Sequence, residues 1–335
     1  MNRKLILWLS LALLVFFSSC AQQQQEKPEN DFRVKPLDGG KSVEIAGYTG
    51  KKQAVDIPSK LYGIPVTGIG KAVFQKKEII KVTIPKGVTA IGDRAFAENL
   101  LTSVTIPSGV TTIGVEAFWE NQLNGVVIPN GVTAIGDWAF QDNQLAGITI
   151  PNSVTDIGAG AFFDNKLAGV TIPDGVTTIG AEAFAGNPLT SVTLGAGNTA
   201  FTAKNSFLLS KDEKTLIFYF GAEKDTTIPA GVTVIGPGAF SKNQLTNVNI
   251  PEGVTAIEFR AFRQNQLTTV TIPDSVTTIG DLAFAGNQIT SITIGTNVTL
   301  GRSSLDDNGY FNYTYSNYSR RGGTYTLRNG YWSRQ

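Results

Sequence analysis

A spacing of 22 residues governs most of this chain. Pro85, Pro107, Pro129, Pro151 and Pro173 stand 22 apart, and Pro229, Pro251 and Pro273 resume the interval. Phe96, Phe118, Phe140, Phe162, Phe184, Phe240, Phe262 and Phe284 keep the same step, as do Asn99, Asn121, Asn143, Asn165, Asn187, Asn243, Asn265 and Asn287. One full unit, starting at Leu123, reads LNGVVIPNGVTAIGDWAFQDNQ. A unit this short cannot enclose a core, so it must stack on copies of itself, and a fixed period of this length means a solenoid. Counting the Ile-Pro step or its equivalent from position 57 to position 294 gives eleven coils, two of them with Gly195 and Gly295 in place of proline. At about 4.8 Å between stacked strands, the rod or shallow arc is about 50 Å long.

Each part of the unit has a physical reading. In Val104-Thr105-Ile106 the alternation sends Val and Ile to one face and Thr to the other, which predicts a half-buried strand. Proline lacks an N–H and stops the ladder, and the Pro-x-Gly that follows suits a tight turn. Val110 and Ile113 return apolar side chains to the interior. Ala117 and Phe118 follow on a stretch expected to form a helical or 3-10 turn, and the asparagine three residues on is suited to satisfy buried backbone groups at the corner.

The string IPxGVTxIGxxAFxxNxLTxVTIP resembles the BspA-like leucine-rich repeats of bacterial surface proteins, over Ile57 to Ile294. The resemblance implies an α/β repeat solenoid, mostly β, coiled right-handed. Leu61 to Val66 is similar to that family's widened first repeat, and Phe32 to Ile57 to its strand-rich opening. The organisation expected is a signal peptide at 1–19, a lipidated tether and start of the opening segment at 20–40, and an N-terminal cap with the widened repeat at 41–84. Repeats follow at 85–300 and a C-terminal β cap at 301–335. The interval from 195 to 229 is 34 rather than 22, so residues 198–227 contain an insertion. Its Phe207-Leu208-Leu209 and Leu216-Ile217-Phe218-Tyr219 runs, around Lys211 to Lys214, predict a β-hairpin.

The amino terminus reads as an address. Arg3 and Lys4 precede a run from Leu5 to Phe17 that is apolar except for Ser10, too short to span a bilayer and suited to a secretory signal. Ser18, Ser19 and Cys20 then resemble the bacterial lipoprotein signal, although Phe17 stands where that pattern has leucine. Cys20 is thereby expected to become the lipidated first residue, and Ala21 to Asn30 a flexible polar tether. An ordinary secretory signal with an incidental cysteine is the alternative.

Composition narrows the chemistry. The chain has no histidine and one cysteine. This disfavours imidazole general bases and Ser-His or Cys-His nucleophiles, and forbids an internal disulfide or a four-thiolate metal cluster. Phosphate-cradling and dinucleotide glycine motifs are absent, Gly236-Pro237-Gly238 not continuing to a third glycine, and Asp306-Asp307 beside Asn308-Gly309 reads as a turn. No catalytic residue, cofactor or metal site is expected, and a net charge of +1 gives no reason to expect nucleic acid as partner.

That small net charge hides two sectors. Lys41 to Lys86 carries nine lysines and three acids, a net +6, and Gly87 to Thr190 carries ten acids and two bases, a net −8. Glu116, Glu120, Asp137, Asp142 and Asp164 fall on the segment around the repeated phenylalanine. The same segment carries large aromatics, Trp119, Trp138 and Phe163, where other repeats have small or polar residues. On a helical turn these would share one face, so they form a candidate patch for a cationic segment or a carbohydrate face. Lids with ordinary solubilising charge would read the same way. A threonine row (Thr83, Thr105, Thr149, Thr171, Thr193, Thr271 and Thr293) marks the opposite surface, suited to strand propensity and solubility. The basic first coils, with Lys71, Lys76, Lys77, Lys81 and Lys86, suit anionic lipid heads or glycans, or the avoidance of edge pairing. The resemblance implies a non-enzymatic protein, exported, lipid-anchored to the envelope, in the outer membrane and exposed at the cell surface. It implies adhesion through a protein or glycan ligand on host cells, matrix or other bacteria, with the membrane contacted through the lipid alone. An inward-facing structural lipoprotein, or an enzyme using the insertion or tail, stays open.

Overall fold

A computed structural model describes residues 28–305 and 310–335. Cys20 and the preceding signal, and the Asp306-Asp307 turn, lie outside the described residues. The stack makes about twelve turns, mostly β. The coil from Pro107 shows how one unit is built. Val110 N donates to Pro107 O at 3.0 Å and closes the turn that proline starts. Thr112–Ile113 then pairs in parallel with Ala90–Ile91 below and Ala134–Ile135 above. At Gly114 the preceding coil comes so close that a Cβ would sit 2.6 Å from the Asp93 nitrogen, so a side chain there would force the coils apart. Ile113, Val110, Ala117, Phe118 and Leu123 all turn inward and are buried.

The longest ladder is therefore formed by the residues ending in the second isoleucine of each repeat. Phe32–Leu37 and Ser42–Tyr48 open it as an antiparallel pair. Ile64–Ile69, Ala90–Ile91, Thr112–Ile113, Ala134–Ile135, Asp156–Ile157 and Thr178–Ile179 continue it in parallel, with Lys60–Leu61 beside Ile64–Ile69. The Val-Thr-Ile segments pair only locally. Val126–Val127 pairs with Ile148–Thr149, and Gly169–Ile172 with Ser191–Leu194. Val104-Thr105-Ile106 keeps the expected alternation, valine and isoleucine buried and threonine exposed, yet forms no strand. Alternation reports which side is buried; it does not by itself supply a hydrogen-bonded neighbour.

The phenylalanines form a column through the core. Consecutive ring centroids from Phe74 to Phe184 lie 5.1, 5.3, 5.4, 5.7 and 5.5 Å apart with nearly parallel planes. Phe240, Phe262 and Phe284 repeat this at 4.9 and 4.8 Å. Phe74 joins the column although its coil has Lys77 in place of the repeated asparagine. Its position 22 before Phe96 was the available signal.

The insertion is larger than a hairpin. Phe201–Lys204, Phe207–Ser210 and Thr215–Tyr219 make a three-stranded antiparallel meander, whose last strand pairs in parallel with Val234–Ile235 and occupies a rung of its own. A second ladder starts there and runs through Ala256–Ile257 and Thr278–Ile279 to Thr299–Leu300. Phe218 meets Phe184 and Tyr219 meets Phe240, so the aromatic column is bridged by tilted rings and the core falls into two clusters. The C-terminal cap is also not purely β. A helix, Tyr310–Asn317, packs Phe311 and Tyr315 against the hairpin Gly323–Arg328/Tyr331–Arg334, which pairs with Ser291–Ile294. Tyr315 Oη donates to Gly295 O at 2.6 Å and accepts from Val298 N at 3.1 Å, sealing the last coil.

Candidate functional site

The segment around each phenylalanine is not helical. The residues two before and two after it have left-handed backbone: Glu116 and Glu120, Trp138 and Asp142, and Gly160 and Asp164, with φ between 48° and 58°. Alternate N–H groups then point along the stack. Arg94, Phe96 and Glu98 donate to the carbonyls of Val115, Ala117 and Trp119 in the next coil, at 2.8, 2.8 and 2.7 Å. The residues between them, Ala95 and Ala97, bond back within their own coil to Gly92 and Arg94. Non-glycine residues rarely adopt positive φ, and here the hydrogen bonds between coils hold them in it. Helix propensity loses to a ladder that satisfies every second N–H.

The repeated asparagines pin this turn. Asn143 Oδ1 accepts from Leu123 N at 3.0 Å, and its Nδ2 donates to Phe118 O at 2.9 Å and Phe140 O at 3.1 Å. Asn99, Asn121, Asn165, Asn187, Asn265 and Asn287 make the corresponding bonds to their own and the preceding coil. Asn243, just after the insertion, keeps one long bond to Tyr219 O at 3.4 Å.

This backbone places the aromatic and acidic side chains in columns, a different arrangement from one helix face. Trp138 shares the column two before phenylalanine with Arg94, Glu116, Gly160 and Glu182. Its indole lies over Gly160, where a Cβ would sit 2.2 Å from Trp138 Cδ1. Trp119, Gln141 and Phe163 share the column one after phenylalanine. The structure brings Trp138 and Phe163 into one cleft with Gln141. Trp119 stays a coil away, donating through Nε1 to Asp142 at 3.3 Å. Asp137 faces along the stack and accepts from Ala159 N at 2.7 Å.

Two positions after phenylalanine the residues run Lys76, Glu98, Glu120, Asp142, Asp164. Lys76 pairs with Glu98 at 2.8 Å. That hydrogen bond holds the Glu98 carboxyl below the usual carboxylate range. Arg94 engages Glu116 through two contacts, 2.5 and 3.0 Å, and its hydrogen bonds to that carboxylate raise the guanidinium further.

At the other end the second arm of the solenoid supplies the cations. Lys242 pairs with Asp164 and lies 4.5 Å over the Phe163 ring. Arg260 reaches Glu182 at 3.0 Å and Arg263 at 3.7 Å, and Ser241 Oγ donates to the same buried carboxylate at 2.6 Å. The insertion thus lets the turn faces of the two arms meet, with Trp138, Phe163, Glu182, Lys242, Arg260 and Arg263 around the cleft. Lys242, Arg260 and Arg263 were not among the residues the sequence singled out. They lie 78 or more positions away from their partners, and no local pattern announces the pairing. Among the described residues no basic side chain pairs with Glu120 or Asp142, which stand in the middle of the column. No cluster among the described residues could hold a metal ion, and no helix among them is long and apolar enough to cross a membrane.

Comparison with known proteins agrees with this architecture. No curated protein matches the chain. Among solved structures, a leucine-rich cell surface protein from Faecalibacterium prausnitzii superposes with a TM-score of 0.59 at 23% identity, covering 87% of this chain and 96% of its own. The pneumococcal vaccine antigen PcpA gives 0.61 at 20% identity, covering 84% and 87%. A leucine-rich repeat protein from Eubacterium ventriosum gives 0.51 at 22% identity, covering 79% and 68%. These likenesses show the fold. The BspA type leucine-rich repeat profile matches residues 67–207 and 215–316 in six copies. Matched on both sides of the insertion, the chain belongs to the BspA-type leucine-rich repeat family.

Proposed function

We propose that this protein is a lipid-anchored, surface-displayed adhesion scaffold that takes a cationic partner segment on its acidic and aromatic turn face. The family consists of cell-surface repeat proteins suited to protein interaction. One observation carries the finer reading. The carboxylate column is closed by Lys76 at one end and by Lys242 at the other, and its centre, Glu120 and Asp142, has no basic partner among the described residues, with Trp119 bonded to Asp142 and Trp138 in the adjoining cleft. Lys242 over Phe163 and against Asp164 is an intramolecular example of the contact a partner would make, a cation held by a ring face and a carboxylate together. Host matrix, epithelial surfaces and other bacteria are the partners to try, and no residue of the chain is assigned to catalysis.

The test is binding of residues 21–335 to immobilised matrix proteins, a glycan array and whole bacteria at low and high salt. Trp119→Ala/Trp138→Ala and Glu120→Gln/Asp142→Asn are expected to weaken capture while folding is kept. Unchanged capture by both would sink the proposal. Display and anchoring have separate tests. Protease applied to intact cells cuts a displayed protein and spares one facing inward, and Cys20→Ser releases the protein or leaves an unprocessed precursor if Cys20 carries the lipid.

A further inference from the structure

The basic N-terminal coils contain a surface that the scaffold reading does not use. The chain at Ile79-Ile80-Lys81 turns a corner against the loop before Ala54–Asp56, and Gln53 O accepts from both Ile80 N at 2.9 Å and Lys81 N at 3.3 Å. This brings the loop that carries Lys51 and Lys52 against Ile80 and Lys81, with Lys77 three residues before Ile80 on the same corner. All four lysines are exposed, and none of them forms an ion pair among the described residues. Two carboxylates lie nearby, Glu78 within the corner and Asp56 on the strand paired with Lys81–Thr83, where it accepts from Thr83 Oγ1 at 2.6 Å.

Ile80 is the anomaly. It is 49% exposed. Its counterparts one to five coils on are Thr102, Asn124, Ala146, Ala168 and Thr190, all small or polar. The stack therefore asks for no large apolar side chain here. An exposed isoleucine among lysines, with the exposed Leu100 one coil on bonded to Ile79 O, is the composition of a surface that meets anionic headgroups with its charges and the acyl boundary with its apolar tips.

We infer that this corner is a membrane-docking surface, occupied by the anionic headgroup layer of a bilayer. Charge complementarity supports that occupant. So does place, because Pro28 lies at this end of the stack, eight residues after Cys20. The inference rests on the proposed export and lipidation. With the lipid it would give two attachment points, one covalent and one electrostatic, so that the stack stands with its basic end down and its turn face clear of the bilayer.

Vesicle co-sedimentation of residues 21–335, which include every described residue and lack the lipidated cysteine, tests the surface apart from the anchor. Vesicles of phosphatidylcholine with phosphatidylglycerol should bind the chain and pure phosphatidylcholine should not. At about 1 kcal/mol, or fivefold, per lysine, Lys51→Gln/Lys52→Gln/Lys77→Gln/Lys81→Gln should lower partition by two orders of magnitude or more. Ile80→Ser should lower it about tenfold at unchanged charge. Absence of binding to the anionic vesicles overturns the inference. So does Ile80→Ser binding them like the parent chain, which would mark a site for soluble polyanions, with heparin then binding both chains alike. Neither failure touches the anchor, which Cys20→Ser tests alone in cells.

Discussion

Replacing one asparagine of the turn face tests how the coils are joined. In Asn143→Ala, Leu123 N loses its 3.0 Å acceptor and has no other among the described residues. The carbonyls of Phe118 and Phe140 each lose one donor but keep another, from Asn121 and Asn165. An orphaned buried N–H costs about 1–3 kcal/mol, and each of the two further bonds contributes about 0.5–1.5 kcal/mol net. The expected loss is about 2–6 kcal/mol. Asn243→Ala is the internal control, because that amide makes one bond of 3.4 Å, and its loss is expected to stay under about 1 kcal/mol. Urea unfolding gives the totals, and hydrogen exchange read by mass spectrometry gives their place. Faster exchange in Asn143→Ala should concentrate between residues 118 and 145, since a solenoid loses stability near the altered coil. Equal losses from the two substitutions would refute the reasoning, and the asparagine would then matter for its turn preference alone.

Three further outcomes follow from the same structure. Phe140→Ala removes a fully buried ring from between Phe118 and Phe162. It should cost about 3–5 kcal/mol, with exchange rising in the adjoining coils and the C-terminal cap unchanged. Glu182→Ala takes the shared carboxylate from Arg260, Arg263 and Ser241. Both arginines are nearly one-third exposed, so the cost is discounted to about 1–3 kcal/mol, and small-angle scattering should show a larger radius of gyration as the arms part. Burial raises the hydroxyl pKa of Tyr48, Tyr219, Tyr315 and Tyr325. A raised folded pKa means stability fully present below the unfolded value, about 10, and lost as pH rises through the folded value. Alkaline exchange should therefore loosen both caps and the insertion before the phenylalanine-lined coils.

The stack was legible because its core repeats. Most coils use the same phenylalanine to fill the column and the same asparagine to close the corner, so both leave a period in the sequence. The backbone of the turn was not read, since Glu116, Glu120 and Trp138 carry no local preference for positive φ. Gly160 and Gly238, two before phenylalanine, and Gly186 and Gly286, two after, do mark those positions, and glycine exchanging there with glutamate and tryptophan was the available clue. Phe163 and Asp164 stand in the sequence as two members of a patch for a cationic segment or a carbohydrate face. Lys242, the cation they hold, stands beyond the insertion, and its approach depends on how the meander of residues 201–219 redirects the stack. Val104-Thr105-Ile106 shows the reverse case, where the burial pattern was right and the strand was absent.

The most direct measurement is a footprint of whichever partner the chain captures, by hydrogen exchange and residue-specific carboxylate labelling of the bound and free protein. Protection of Trp119, Glu120, Trp138 and Asp142 on the turn face, lost at high salt, is the predicted result. Protection instead along the strand face at Thr105, Val127 and Thr149, with the turn face labelled as in the free chain, would contradict the account.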